Sequence, residues 1–312
     1  MIKFQLVERL SELPYRLRRR ISSPSQTWPI KESDLARIKI IWPERYQWSG
    51  AKPIVSAIKD GLVKLGVVEV QSSPQNEQGV VALDCFVDGR RHAVALDYSD
   101  HPTFINDAAL TKSDLYVKCQ FQKGGYKDDR IIRGGYPVVS PVYYKYYRAF
   151  RANYGTNRYI DVLGRFGYTF QGELRKRAVQ MLDAAPGIDF VGGDGMVRYS
   201  RFLREAASAR LCLHLPGNGP FTYRLPEFLG LGSCMISLRF TTELHVPLEA
   251  GIHYVEVADD LSDLIDKCHY YLRNDKEREK IANAGRDFFD RYLHCDEMAG
   301  YYVRSMLDRL GP

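Results

Sequence analysis

The sequence predicts an α/β protein of two domains, and three observations carry that expectation. Residues 209–238 read as one strand–loop–helix–strand unit, residues 38–70 read as the beginning of a separate β-α-β run, and 312 residues suffice for two domains of about 150 each.

The strongest unit opens on Leu211-Cys212-Leu213-His214-Leu215, a short apolar run bounded by turn residues, as a buried strand requires. Pro216-Gly217-Asn218-Gly219-Pro220 follows, a turn that lets backbone approach a ligand and leaves N–H groups free to bind it. Thr222 is then the expected N-cap of a helix with Leu225, Phe228, Leu229 and Leu231 on its apolar face and Gly230 and Gly232 at its end. Cys234 to Leu238 reads as the next parallel strand. Ligands of open α/β sheets bind at the carboxyl ends of such strands.

In chain order, Phe4 to Ile21 has the outline of a short basic amphipathic helix, interrupted by Pro14 and ending in Arg18-Arg19-Arg20. It is a candidate for peripheral contact with an anionic membrane through residues 1–21, against the plainer reading of a solvated basic end. Ser22 to Ser25 reads as a linker. Ile38 to Pro43 is the first predicted strand, Pro53 to Leu65 a helix with Ile54, Ile58, Leu62 and Leu65 at helical spacing, and Val67 to Val70 a strand. Val80 to Phe86 and His92 to Leu96 form a hairpin across Asp88-Gly89. The second runs into Asp97-Tyr98-Ser99-Asp100-His101, where Asp97, Asp100 and His101 are candidate general bases. The competing reading is an Asp-rich turn that caps the next helix. Asp114 to Cys119 is a further strand whose Lys118 faces either phosphate or solvent, and Tyr143, Tyr144, Tyr146 and Tyr147 with Lys145 and Arg148 form either a stacking patch or the packed face of a connecting helix. A second domain begins at the apolar run Tyr159 to Gly164, followed by a helix through Met181-Leu182, a short strand at Ile188 to Gly193 and a helix from Tyr199 to Ala207. Gly192-Gly193-Asp194-Gly195 fits neither phosphate-loop nor dinucleotide spacing and reads as a plain turn.

Composition is that of an ordinary soluble protein, 45% hydrophobic and 26% charged, without an apolar run near the roughly 20 residues of a membrane span. A secretory signal is not expected. Six scattered cysteines without C-x-x-C spacing favour a reducing, cytoplasmic setting over disulfides or zinc. The net charge of +6 favours anionic partners without choosing among nucleotides, lipids and nucleic acid.

The order Tyr223-Arg224, Leu225, Glu227, then Gly230-Leu231-Gly232-Ser233-Cys234 and a hydrophobic strand resembles the donor site of GT-B glycosyltransferases, especially the CAP10-like and exostosin-like groups. His253 to Val257, Asp260 to Leu264 and Asn283-Ala284-Gly285-Arg286 extend the likeness, which covers roughly residues 159–302. The resemblance implies a GT-B fold, two Rossmann-like domains facing each other across a cleft. Residues 1–35 are then a basic segment and linker, 36–155 an acceptor domain, and 156–312 a nucleotide-sugar donor domain whose last helix returns to the first. Arg165, Arg175 and Lys176 become candidates for the donor's pyrophosphate, where arginine's paired donors suit phosphate and meet the charge of the leaving diphosphate. Asn218, Gly219 and Thr222 would contact phosphate, Arg224 would pair with it, and Glu227 would accept from ribose or sugar hydroxyls. The competing reading of the last two is a surface i,i+3 ion pair.

Without a D-x-D pair beside a strand, no metal or other cofactor is expected beyond the nucleotide-sugar as co-substrate. The expected acceptor is a cell-surface glycan or lipid-linked saccharide, in polysaccharide biosynthesis at the inner membrane face. Alternatives are a DNA-modifying glycosyltransferase acting on a hydroxylated base and a non-catalytic nucleotide- or glycan-binding protein on the same scaffold.

Overall fold

The computed structural model describes residues 27–44, 52–71, 79–154 and 157–312; the amphipathic segment Phe4 to Ile21 and the linker after it lie outside them. Two large sheets organise the chain, with a small antiparallel pair formed by β6 (Phe121–Gln122) and β12 (Thr242–Glu243). The first has the order β2-β1-β3-β4-β5-β7, built from β1 (Ile38–Pro43), β2 (Val68–Gln71), β3 (Val80–Val87), β4 (Arg90–Asp97), β5 (Leu115–Lys118) and β7 (Ile131–Arg133). It is mixed, because β3, the first arm of the hairpin expected at Asp88-Gly89, runs antiparallel to both β1 and β4 while the other pairs are parallel. Both turn residues take the left-handed region, at φ 50° and 77°, as a two-residue hairpin demands.

The second sheet is wholly parallel, in the order β13-β11-β10-β8-β9. Its strands are β8 (Ile160–Arg165), β9 (Phe190–Gly193), β10 (Ala209–His214), β11 (Cys234–Leu238) and β13 (Val255–Val257), and connecting helices include α5 (Gly172–Asp183), α6 (Tyr199–Ser208) and α7 (Arg224–Leu231). The first strand in sequence sits between the second and third, so connections diverge at the β8/β10 boundary. That boundary is the topological switch point, where the strand ends open a crevice. The expected α/β architecture of two strand-and-helix units is therefore present, Rossmann-like in the second unit and modified by a hairpin in the first.

α10 (Cys295–Leu310) leaves the second unit and packs on the first. A Cβ on Gly61, in α2 (Lys52–Lys64), would lie 2.7 Å from the Cys295 carbonyl oxygen, Cys85 Sγ meets Met306 Sδ at 3.8 Å, and the Tyr98 and Tyr302 hydroxyls share a buried hydrogen bond. The tyrosine-rich run forms α4 (Pro141–Tyr154), where Tyr143 and Tyr147 are buried, stacked 5.3 Å apart and set edge-on to Phe289. The packed-face reading holds for those two. All six cysteines are free and buried, thiols acting as small hydrophobes.

Candidate functional site

The crevice at the β8/β10 switch point collects two arginines. Arg175, on the first turn of α5, is 6% exposed; its Nη1 donates to the Gly167 carbonyl at 2.6 Å and its Nη2 to Leu215 at 3.4 Å, which ties the loop after β8 to the end of β10. Arg224 opens α7. Both guanidinium groups face the Phe166 ring, at 5.5 and 5.9 Å, and each buries an Nε without a hydrogen-bond partner. Neither forms an ion pair among the described residues. Burial and then the charge of Arg224 push Arg175 down to about 10, and burial lowers Arg224 against the pull of Glu227. Two buried like charges with free donors constitute a site for an anion.

The loop after β10 lies beside them. A Cβ on Gly217 would sit 3.5 Å from both Arg175 Nη2 and Thr222 Cγ2, so the cation and the threonine side chain, by its methyl, flank one glycine. A Cβ on Gly219 would come within 2.4 Å of the Asp100 carbonyl oxygen and 2.7 Å of Gln120 Nε2, which only glycine at that position avoids. The loop thus touches the other unit directly. Asn218 Nδ2 lies 3.5 Å from both Asp100 Oδ2 and His101 Nε2, and the buried Gln120 side chain donates to the Phe221 carbonyl at 2.9 Å while accepting from the Phe221 N–H at 3.1 Å.

Expected residues divide accordingly. Arg175, Asn218, Gly219, Thr222 and Arg224 converge on the crevice, with Asp100 and His101 across it. Burial raises the Asp100 carboxyl. Glu227 is buried one turn along α7, accepts from the Tyr199 hydroxyl at 2.5 Å, and is pushed up to about 7 by burial, against the hydrogen bond from Tyr199 and the charge of Arg224. The surface ion-pair reading of Arg224 and Glu227 does not describe this buried arrangement.

Three residues are placed otherwise. Asp97 is fully buried; its carboxylate accepts from Lys118 Nζ at 2.8 Å, the Tyr116 hydroxyl at 2.6 Å and the Ser99 N–H at 2.8 Å, so it is a satisfied structural anion rather than a free base. Lys118 consequently faces neither phosphate nor solvent. Arg165 is held by Glu205 through two hydrogen bonds of 2.6 and 3.1 Å, on a carboxylate that Arg201 shares at 2.8 Å, and its Nη1 donates to the Gly195 carbonyl, so it is engaged away from Arg175 and Arg224. Lys176 points to solvent beside Glu173 at 3.3 Å. Thr222 is not the N-cap, a position held by Tyr223; its Oγ1 instead lies 3.1 Å from His214 Nε2. Nor does the Asp97–His101 turn cap the next helix, Asp107–Thr111, whose cap is Asn106.

Sequence reasoning missed His214, Tyr199 and Gln120. His214 was hidden in an apolar run, and a polar residue inside such a run was the one available signal.

Fold and site define an α/β protein with two buried arginines, neither ion-paired among the described residues, at the switch point of its second sheet. Residues 175–304 match a family model described as glycosyl transferase-like, so the resemblance read from the sequence holds over that part. The chain is 33% identical over 82 residues to protein O-glucosyltransferase 2 of Danio rerio, a match that covers 26% of this chain and 16% of that protein. The chain therefore spans a small part of that relative's length. Similar solved structures include a glycosyltransferase from Rickettsia africae ESF-5, with 11% identity, coverage of 87% of this chain and 97% of that one, and a TM-score of 0.47. Anabaena Alr3699/HepE in complex with UDP-glucose has 12% identity, coverage of 71% and 73%, and a TM-score of 0.40. A DNA-modifying beta-glucosyltransferase has 10% identity, coverage of 87% and 99%, and a TM-score of 0.44.

Proposed function

We propose that this chain is a nucleotide-sugar-dependent glycosyltransferase that moves a sugar to a hydroxyl acceptor. The observation that carries this reading is the pair of buried, unneutralised guanidiniums, Arg175 and Arg224, at the switch point of a parallel sheet. A nucleoside diphosphate supplies the missing negative charge. Arg175 and Arg224 hold the diphosphate with Thr222 and the Gly217–Gly219 backbone, and they stabilise the charge that builds on it as the glycosidic bond to the sugar breaks. Glu227 accepts hydrogen bonds from ribose or sugar hydroxyls. Residues 36–155 form the acceptor side and 156–312 the donor side.

Asp100 and His101 are the candidates for a base. Burial brings the Asp100 carboxyl closer to working pH, and Asn218 links both groups to the donor loop. Positive side chains carry the leaving-group charge in this reading without a metal. A glycan or lipid-linked saccharide in polysaccharide biosynthesis is the acceptor class. The six buried free thiols support a cytoplasmic setting, and no helix among the described residues is long and apolar enough to cross a membrane. Residues 1–21 would supply contact with the inner membrane face.

Calorimetry against a panel of nucleoside diphosphates and nucleotide-sugars, followed by an assay of diphosphate release with glycan acceptors, tests this reading. Saturable binding of one nucleotide and acceptor-dependent release of it are expected. A protein that binds none of the panel is not a transferase of this kind.

A further inference from the structure

A buried imidazole lies beneath the anion crevice. His214, the last residue of β10, is fully buried and opposes Ser237 of β11 in register. Its Nδ1 lies 3.0 Å from Ser237 Oγ and its Nε2 lies 3.1 Å from Thr222 Oγ1, so the ring bridges two hydroxyls, one in the core and one at the loop beside Arg175.

We infer that His214 is a positioning residue, which fixes the direction of the Thr222 hydroxyl so that its proton points at the bound anion. The role rests on the diphosphate reading of the crevice and extends it to a group below the contact surface. Burial, with the charges of Arg224 and Arg175, drives His214 down to about 3, so the ring is neutral and has one N–H and one lone pair. Two tautomers are open to it. If Nδ1 carried the proton, it would donate to Ser237, and the Ser237 hydroxyl proton, 1% exposed and with no other partner among the described residues, would be buried without an acceptor. If Nε2 carries the proton, Ser237 donates to Nδ1, Nε2–H donates to Thr222 Oγ1, and both buried protons, those of Ser237 and the ring, have an acceptor. Buried donors are almost always satisfied, which selects the second arrangement. In it, the Thr222 oxygen is occupied from below by a donor. Its own proton turns outward, where a phosphate oxygen accepts it.

The imidazole 15N shifts at pH 7.5, with the His214 signal assigned by its loss in His214→Leu, read the tautomer directly. The Nε2–H form is expected, and an Nδ1–H form overturns the relay. UDP affinity is then measured for His214→Leu, Thr222→Val and the double variant. Each single change should weaken binding about tenfold, and the double change no more than either, because both remove one oriented donor. Additive losses, or a His214→Leu protein that binds like the parent, would overturn the role even where Arg224→Ala weakens binding as the diphosphate reading expects. Should His214→Leu fail to fold, Ser237→Ala, which keeps the ring, replaces it in the cycle with an expected loss of about threefold that again disappears in the Thr222→Val background; its tautomer signal is then assigned through perturbation by Ser237→Ala. A parent that binds neither UDP nor inorganic pyrophosphate overturns the diphosphate reading and this role together.

Discussion

The two halves of the molecule each bury charge, and they do so in opposite ways. In the first unit, Lys118 and Asp97 face each other across paired strands at 2.8 Å, with Ser99 and Tyr116 completing their hydrogen bonds. In the second, Arg175 and Arg224 both stand over the Phe166 ring, neither in an ion pair among the described residues and each with an unpartnered Nε. A desolvated ion costs several kcal/mol unless its charge and hydrogen bonds are met inside the protein. The first cluster meets that condition and belongs to the fold. The second does not meet it within the protein, and in the proposed reading a ligand does, which is the physical difference between a structural charge and a binding charge.

Breaking the self-sufficient pair should give the largest effect. Lys118→Met leaves Asp97 buried without its counter-charge, and an unfolding free energy lower by about 3–5 kcal/mol is expected from denaturant titration. A loss below about 1 kcal/mol would mean that Asp97 finds relief elsewhere.

Glu227 lies between the two cases, a buried carboxyl with one hydroxyl partner and a raised value of about 7. The folded state holds its proton more tightly than the unfolded state, whose value is near 4.5. Its favourable contribution is thus fully present below about pH 4.5 and is lost as pH rises to about 7, a change of order 3 kcal/mol. Glu227→Gln should flatten stability over that window, and a variant with the parent's pH profile would contradict the assignment.

Removing one of the ligand-seeking charges should act on binding instead. Arg224→Ala is expected to weaken nucleoside diphosphate binding by about 2 kcal/mol, roughly thirtyfold, with stability unchanged or raised. A loss of stability with unchanged affinity would place Arg224 with the structural charges. The smallest effect belongs to Lys176, exposed beside Glu173; Lys176→Ala should move affinity and stability by less than about 0.5 kcal/mol. A tenfold loss of affinity would show that the chain closes onto the ligand further than this structure does.

Local pattern made the scaffold legible. The Cys234–Leu238 strand, the Asp88-Gly89 hairpin and the β-α-β start are encoded by apolar runs and turn residues within a few positions of each other. The crevice arginines were reached through resemblance, since nothing local separates Arg175 from its exposed neighbour Lys176. What stayed hidden depends on register and on contacts distant in sequence. Asp97 finds Lys118 because β4 and β5 pair at those positions, Gln120 grips Phe221 across 101 residues, and His214 gains its role from Ser237 on the adjacent strand. Arg165, plausible by position, is engaged by Glu205 from a helix 40 residues on. A sequence gives the charges; packing decides which of them are already spent.

The most direct test compares the thermal stability of the parent with that of the double variant Arg175→Met, Arg224→Met, with and without inorganic pyrophosphate. Uncompensated charge predicts that the double variant is the more stable protein without ligand, and that pyrophosphate stabilises the parent alone. A double variant that is less stable, or equal stabilisation of both proteins by pyrophosphate, would contradict the claim that these two arginines are held in readiness for an anion.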